Sequence, residues 1–197
     1  MKINEIFYSL QGEGYYSGTP AVFIRFSGCN LRCPFCDTRH EDSSEMTEEE
    51  IVAEVDKYPA RHVVVTGGEP ALQLTASLVD RLHTIGKCVA VETNGTLPLP
   101  ENVDWITLSP KDSYVDDAEV VLTHADEIKV VYDGQGDVRF PSPLEGGRGG
   151  VTLNFLQPMD TGDPVRNTAI TQAAVEYIKM HPEWRLSLQI HKILNIR

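Results

Sequence analysis

The chain is poor in positive charge and lacks any long apolar run, and each shortage excludes a class of function. Its 17 Lys and Arg face 29 Asp and Glu, a formal net charge of -12 over 197 residues. Nucleic-acid binding draws most of its affinity from clustered cations that displace counterions, so this balance argues against a nucleic-acid partner and for a small-molecule substrate. No run of about 18 apolar residues occurs and no basic, apolar signal stretch opens the sequence, so the expected protein is soluble and cytoplasmic, with no membrane partner. Cysteine is scarce as well: there are four, and reduced thiols fit that compartment. The length falls short of the roughly 250 residues of a closed eight-unit barrel. With 41% hydrophobic residues it suffices for one core, hence a single domain spanning 1–197.

What cysteine there is lies bunched. Cys29, Cys33 and Cys36 occupy a short loop that leaves the apolar run Ala21–Phe26. Three thiolates so spaced can hold three irons of a 4Fe–4S cluster and leave the fourth iron open to a ligand. Two other chemistries use similar residues: a zinc site completed by His40, and a redox dithiol formed by Cys33-Pro34-Phe35-Cys36. Zinc ribbons draw on two separated pairs, and a dithiol has no use for Cys29, so the spacing favours the cluster without eliminating either. Cys88, within Lys87-Cys88-Val89-Ala90-Val91, reads as a small buried hydrophobe.

Apolar runs at Val63–Val65, Val89–Val91, Trp105–Leu108, Ile128–Val131 and Val151–Phe155 read as strands buried on both faces, as in parallel sheets. Thr47-Glu48-Glu49-Glu50 is a capping box for a helix whose Ile51, Val52, Val55 and Tyr58 share one face before Pro59 stops it. A second helix carries Leu78, Val79, Leu82 and Ile85 and ends at Gly86. A third runs from Pro164 to Met180 with Ile170, Ala174, Tyr177 and Ile178 inward. This alternation predicts an α/β fold. The stretch 141–150, rich in Gly and Pro, reads as a flexible surface loop.

Gly28-Cys29-Asn30-Leu31-Arg32-Cys33-Pro34-Phe35-Cys36 followed by Thr66-Gly67-Gly68-Glu69-Pro70 resembles the radical S-adenosylmethionine (SAM) superfamily. Within it, Leu10-Gln11-Gly12-Glu13-Gly14, Glu92-Thr93-Asn94-Gly95, Ser109-Pro110-Lys111 and Gln189-Ile190-His191-Lys192 are similar to the 7-carboxy-7-deazaguanine synthases, nearly end to end. The resemblance implies a partial (β/α) barrel with a reduced β6/α3-like core. It also implies a carbon–nitrogen lyase that contracts 6-carboxy-5,6,7,8-tetrahydropterin to 7-carboxy-7-deazaguanine with loss of ammonia, in 7-deazapurine (queuosine) biosynthesis. SAM would chelate the open iron and yield a 5′-deoxyadenosyl radical on one-electron reduction.

Residue roles follow from the same resemblance. SAM contacts are expected from Phe35, Cys36, Asp37, Gly68, Glu92, Ser109, Pro110, Lys111, Gln157, Pro158, Met159 and Asp160, and a Mg2+ contact from Thr38. Leu10, Gln11, Gly12, Glu13, Arg25, Thr66, His191 and Arg197 are expected at the pterin, with His191 on the polar face of a final strand. An amide and a carboxylate at Gln11 and Glu13 suit the polar edge of a pterin ring. Arg25, a guanidinium inside an apolar strand, needs a carboxylate, which either the substrate or an internal salt bridge supplies. A homodimer and an electron donor of the flavodoxin or ferredoxin kind complete the expected partners.

Two competing functions use the cysteine loop differently: an activase that makes a glycyl radical on a partner protein, and a zinc-stabilised interaction module. The open-iron reading makes a direct prediction. Cys33→Ala abolishes cluster binding and turnover, whereas Cys88→Ala leaves both nearly intact. Iron content and visible absorption after anaerobic reconstitution check it, and cluster loss in Cys88→Ala would overturn the assignment.

Overall fold

The computed structural model describes residues 1–36, 43–138, 145–146 and 152–197. In chain order the elements are β1 (Lys2–Leu10), β2 (Pro20–Phe26), β3 (Ser44–Glu45), α1 (Glu48–Val55), β4 (His62–Gly67), α2 (Ala76–Thr84), β5 (Cys88–Thr93) and β6 (Trp105–Leu108). There follow β7 (His124–Ala125), β8 (Glu127–Tyr132), β9 (Glu145–Gly146), β10 (Leu153–Pro158), α3 (Pro164–Met180), β11 (Trp184–Leu186) and α4 (Ile190–Leu194). The main sheet has the order β11-β10-β8-β6-β5-β4-β2-β1-β3. Strands β2, β4, β5, β6, β8 and β10 run parallel, β11 continues them, and β1 is antiparallel to both β2 and β3. Six parallel strands with α1–α3 form the expected β6/α3-type core.

Side chains alternate between the faces of a strand, and the alternation divides this sheet by chemistry. One face carries Val22, Ile24, Phe26, Val63, Val65, Val89, Val91, Ile106, Leu108, Ile128, Val130 and Leu156. With Ile51 and Val55 of α1, Leu78, Val79 and Leu82 of α2, and Ala174 of α3, these form one buried cluster. Phe23, Arg25, Thr66, Glu92, Thr107, Glu127, Lys129 and Gln157 alternate with them on the other face. The strands are buried on both faces as expected, but the second face sets polar and charged residues beside a small apolar cluster of Phe7, Ala21, Phe23 and Val64. At the starts of the parallel strands it is closed by rings: Tyr16 lies 4.3 Å from His62 and Tyr15 stacks on Trp105 at 5.2 Å. The polar ends of the strands are left to form the site.

The helix signals hold at close range. Thr47 Oγ1 accepts from Glu50 N at 3.2 Å while Thr47 N donates to Glu50 Oε2 at 2.8 Å. Gly86 takes φ 77°, as a C-terminal cap requires. Asp163 caps α3, with Pro164 at its first position. Among the described residues no helix is long and apolar enough to cross a membrane.

Several expectations need correction. Helix α1 ends at Val55, leaving Tyr58 to pack half-buried beyond it. Cys88 is half-buried rather than fully enclosed. His191 lies on α4, not on a strand: the last strand stops at Leu186, and the apolar residues that alternate with Gln189 and His191 are not enclosed, Leu188 being 36% exposed and Ile190 half-buried. The stretch 141–150 falls outside the described residues save 145–146, as does Val151.

Leu82 has no exposure and sits where α2 meets the sheet. Leu82→Ala should cost about 2–5 kcal/mol in urea unfolding, while Val165→Ala, at the exposed start of α3, stays within about 0.5 kcal/mol. Equal midpoints would mean that α2 does not hold the core as described.

Candidate active site

The cysteine loop and the Gly67-Gly68 turn form one unit. Leaving β2, the chain turns at Gly28 (φ 97°) and passes directly over the end of β4. Gly68 N donates to Phe26 O and Glu69 N to Gly28 O, both at 2.9 Å. A Cβ on Gly68 would lie 1.8 Å from Gly28 O, and one on Gly67, at φ 117°, would lie 2.2 Å from Phe26 O. These glycines therefore let one stretch of backbone cross another, which is how the cysteines reach the site.

Glu69 locks the crossing from beneath. It is 1% exposed; Oε1 accepts from Ala71 N (3.0 Å) and Thr93 Oγ1 (2.7 Å), and Oε2 from Asn94 N (2.8 Å). Burial pushes its carboxyl up, against the pull of these donors. Asn94 Nδ2 then holds Asn30 Oδ1 in the cysteine loop at 3.1 Å.

Above the polar face lies a cavity of about 380 Å³. Cys29, Cys33 and Cys36 line it and none is in a disulfide; burial pushes the Cys29 and Cys33 thiols up. Phe35 meets Tyr114 edge-on at 4.9 Å. Lys111 donates to Ser109 O at 2.6 Å and Ser109 Oγ at 2.5 Å, and burial pulls its ammonium down to about 8.

Buried charge forms the opposite wall. Lys129 pairs with Glu13 and lies 3.6 Å from Glu92 Oε1. Gln189 Nε2 donates to Glu13 Oε1 and Gln11 Nε2 to Glu92 Oε1, both at 3.0 Å, and Thr66 Oγ1 donates to Glu92 Oε2 at 3.1 Å. Burial would raise the Glu13 carboxyl, but the Lys129 ammonium holds it well below the usual range. Lys129 is correspondingly raised, since burial is outweighed by Glu13 and Glu92. At the rim, Ile190 N donates to Gly12 O at 3.0 Å. A Cβ on Gly12 would lie 2.2 Å from His191 Nδ1, so only glycine fits beneath this ring.

Comparison with known proteins agrees with this geometry. Residues 23–114 match the Radical SAM superfamily. Over 196 residues the chain is 55% identical to a 7-carboxy-7-deazaguanine synthase of Bacteroides thetaiotaomicron, covering 100% of this chain and 98% of that one. The chain belongs to the 7-carboxy-7-deazaguanine synthase family. A member from Burkholderia multivorans is 42% identical over 220 residues, covering 98% of each chain. The crystal structure of QueE from Escherichia coli superposes with a TM-score of 0.72 at 30% identity, covering 95% of this chain and 93% of that one.

Most of the residues expected at a synthase site line the one cavity: Leu10, Gln11, Gly12, Glu13, Arg25, Phe35, Cys36, Thr66, Gly68, Glu92, Ser109, Lys111, Gln157, Pro158, Met159, Asp160, His191 and Arg197. Pro110 is buried and does not line it. Asp37, Thr38 and His40 lie outside the described residues. Arg25 Nε meets Glu5 Oε1 at 3.0 Å, so the internal salt bridge weighed for it is present, and Arg197 reaches the other Glu5 oxygen at 2.6 Å. Asp160 accepts from Lys192 (2.6 Å), Gly162 N (3.0 Å) and Asn167 Nδ2 (2.7 Å), and these bring it down to about 2. Lys129 was missed, and Gln189 and Lys192, present only within the closing motif, were given no site role. Lys129 carried the same signal as Arg25, a cation interrupting an apolar strand.

Three thiols on one loop at the cavity wall suit a 4Fe–4S cluster, each taking its own iron. If the Gly68 crossing is what aims them, Gly68→Ala loses cluster loading while Gly86→Ala, strained at φ 77° but with nothing within 4 Å of its Cβ, loses some stability and retains the cluster. Iron and sulfide analysis with a melting curve distinguishes the cases; full loading in Gly68→Ala would dismiss the crossing as the determinant.

Proposed function

We infer that this protein is a radical SAM lyase that converts 6-carboxy-5,6,7,8-tetrahydropterin to 7-carboxy-7-deazaguanine with release of ammonia, a step towards 7-deazapurine nucleosides. The observation that carries the reading is 55% identity along the whole chain to a synthase of that name, spanning every element that lines the cavity.

The cysteine side and the charged wall divide the work. Cys29, Cys33 and Cys36 would hold the cluster, and Gly68, Ser109, Lys111, Gln157, Pro158 and Met159 surround the place for SAM. When bound, the cluster and SAM together supply one-electron, hydrogen-abstracting chemistry. Among the described residues the hydrogen-bond acceptors of Lys111 are the neutral Ser109 oxygens, so an anionic ligand fits beside it. Glu13 and Gln11 offer an acceptor and an amide to a heterocycle edge, and Arg25 and His191 offer donors to a carboxylate. Thr66 fixes Glu92 between them. A Mg2+ ion near Thr38 belongs to the same reading, as do a flavodoxin- or ferredoxin-type electron donor, a homodimer and a cytoplasmic setting.

Anaerobic turnover tests it: reconstituted protein, SAM, Mg2+, dithionite and 6-carboxytetrahydropterin, with product read by mass spectrometry. The expected product is 7-carboxy-7-deazaguanine. SAM cleavage without consumption of the pterin would sink the substrate assignment and leave the radical chemistry; failure to bind a cluster would sink both.

A further inference from the structure

Lys129 stands where a lysine is costly. It lies between Ile128 and Val130 in β8, and its side chain is 6% exposed. Its ammonium pairs with Glu13 and faces Glu92, and all three line the cavity. Without that ammonium, two carboxylates would share one buried wall, and desolvation with mutual repulsion would drive one of them to take up a proton.

Ionisation decides what such a wall recognises. A carboxylate only accepts hydrogen bonds, whereas a carboxylic acid also donates one. A 2-amino-4-oxo ring presents neighbouring N–H donors at its amino group and N3, which a carboxylate takes as a pair. A 2,4-dioxo ring puts a carbonyl oxygen in place of the amino group, opposing the same carboxylate.

We propose that Lys129 is a positioning, specificity-determining residue whose ammonium holds Glu13 as an acceptor-only carboxylate, so that the site selects a 2-amino-4-oxo heterocycle edge over a 2,4-dioxo one. The inference rests on the pterin reading above and goes beyond it by naming the residue that sets the preference. Gln189 holds the second Glu13 oxygen at 3.0 Å, which fixes the plane of the carboxylate. The other charged groups facing this pair are Glu127 from β8, Glu92 from β5, Lys111 beyond β6 and His191 from α4. The readout must cancel what these neighbours contribute to both ligands alike. A ratio of affinities for two ligands with the same 6-carboxylate does so.

The test uses protein reconstituted with cluster and SAM, without reductant, titrated with 6-carboxypterin and with its 2,4-dioxo counterpart between about pH 5 and 6.5. Wild type should prefer the amino ligand by about tenfold or more, with a ratio flat in pH. In Lys129→Met the ratio should collapse to within about threefold and fall further as the pH drops, because a buried Glu13 lacking its ammonium protonates there. Lys129→Arg should keep the wild-type ratio. Glu13→Gln, with Lys129 intact, should lose it, and a preference retained there overturns the proposal even where Lys129→Met misfolds by circular dichroism. A folded Lys129→Met with an unchanged, pH-flat ratio overturns the proposal, and so does a Glu13→Gln variant that keeps the preference. Wild type that binds neither ligand would remove the pterin reading itself, a failure distinct from pterin binding that ignores Lys129.

Discussion

The ion set Lys129–Glu13–Glu92 is the constraint around which the rest of the molecule is arranged. Taking charges out of water is expensive unless partners and hydrogen bonds surround them, and breaking such a pair leaves an uncompensated charge behind. Here the partners come from distant parts of the chain: Glu13 from the turn after β1, Glu92 from β5, Lys129 from β8, and Gln189 from the entry to α4. Residues of β2 and β10 face the same cavity as this ion set. The opposite face packs against α1–α3, so the same strands serve the core on one side and the ion set on the other. Fold and site are thus one electrostatic solution.

What was legible in the sequence was local. The capping box at Thr47, the cap at Gly86 and the Asp163-Pro164 start of α3 are decided within a few residues, and the structure keeps all three. The strands with runs of Val and Ile were legible because burial on both faces demands them. What was not legible depended on remote partners. Strand β1 has the mixed pattern of an element whose register is set by β2 across a bulge near Ile3 and Glu5. The residues around His191 alternate like a strand but have no strand beside them, so they close into a short helix held by Gly12.

The glycine pair shows how a correct motif can carry an incomplete reason. Gly68 was expected as a SAM contact, and both Gly67 and Gly68 do line the cavity. The room at Gly68 is already used: Gly28 O sits where a Cβ on Gly68 would go, with Glu69 N bonded to the same oxygen. The motif therefore acts first on the cysteine loop and only through it on a ligand. Sequence could give the residue type and the strand end, but not which segment crossed there.

The buried carboxyls and ammoniums of the site sort by partner, and the sorting explains its polarity. Glu69 and Glu127 accept from amides and hydroxyls, and burial pushes both up, in Glu127 against the pull of the Lys129 ammonium. Glu13 instead pairs with that ammonium and is held low. Lys129 owes its charge to carboxylates within the chain, whereas Lys111, bonded among the described residues to the Ser109 oxygens, is left near 8. One cation is thus neutralised in advance and the other is not. Bringing an anion to Lys111 raises its hold on a proton and stabilises the pair, so the site is electrostatically incomplete on the cysteine side and complete on the Glu13 side. That asymmetry matches a protein whose cysteine wall receives charged cofactors and whose opposite wall reads a heterocycle by hydrogen bonds.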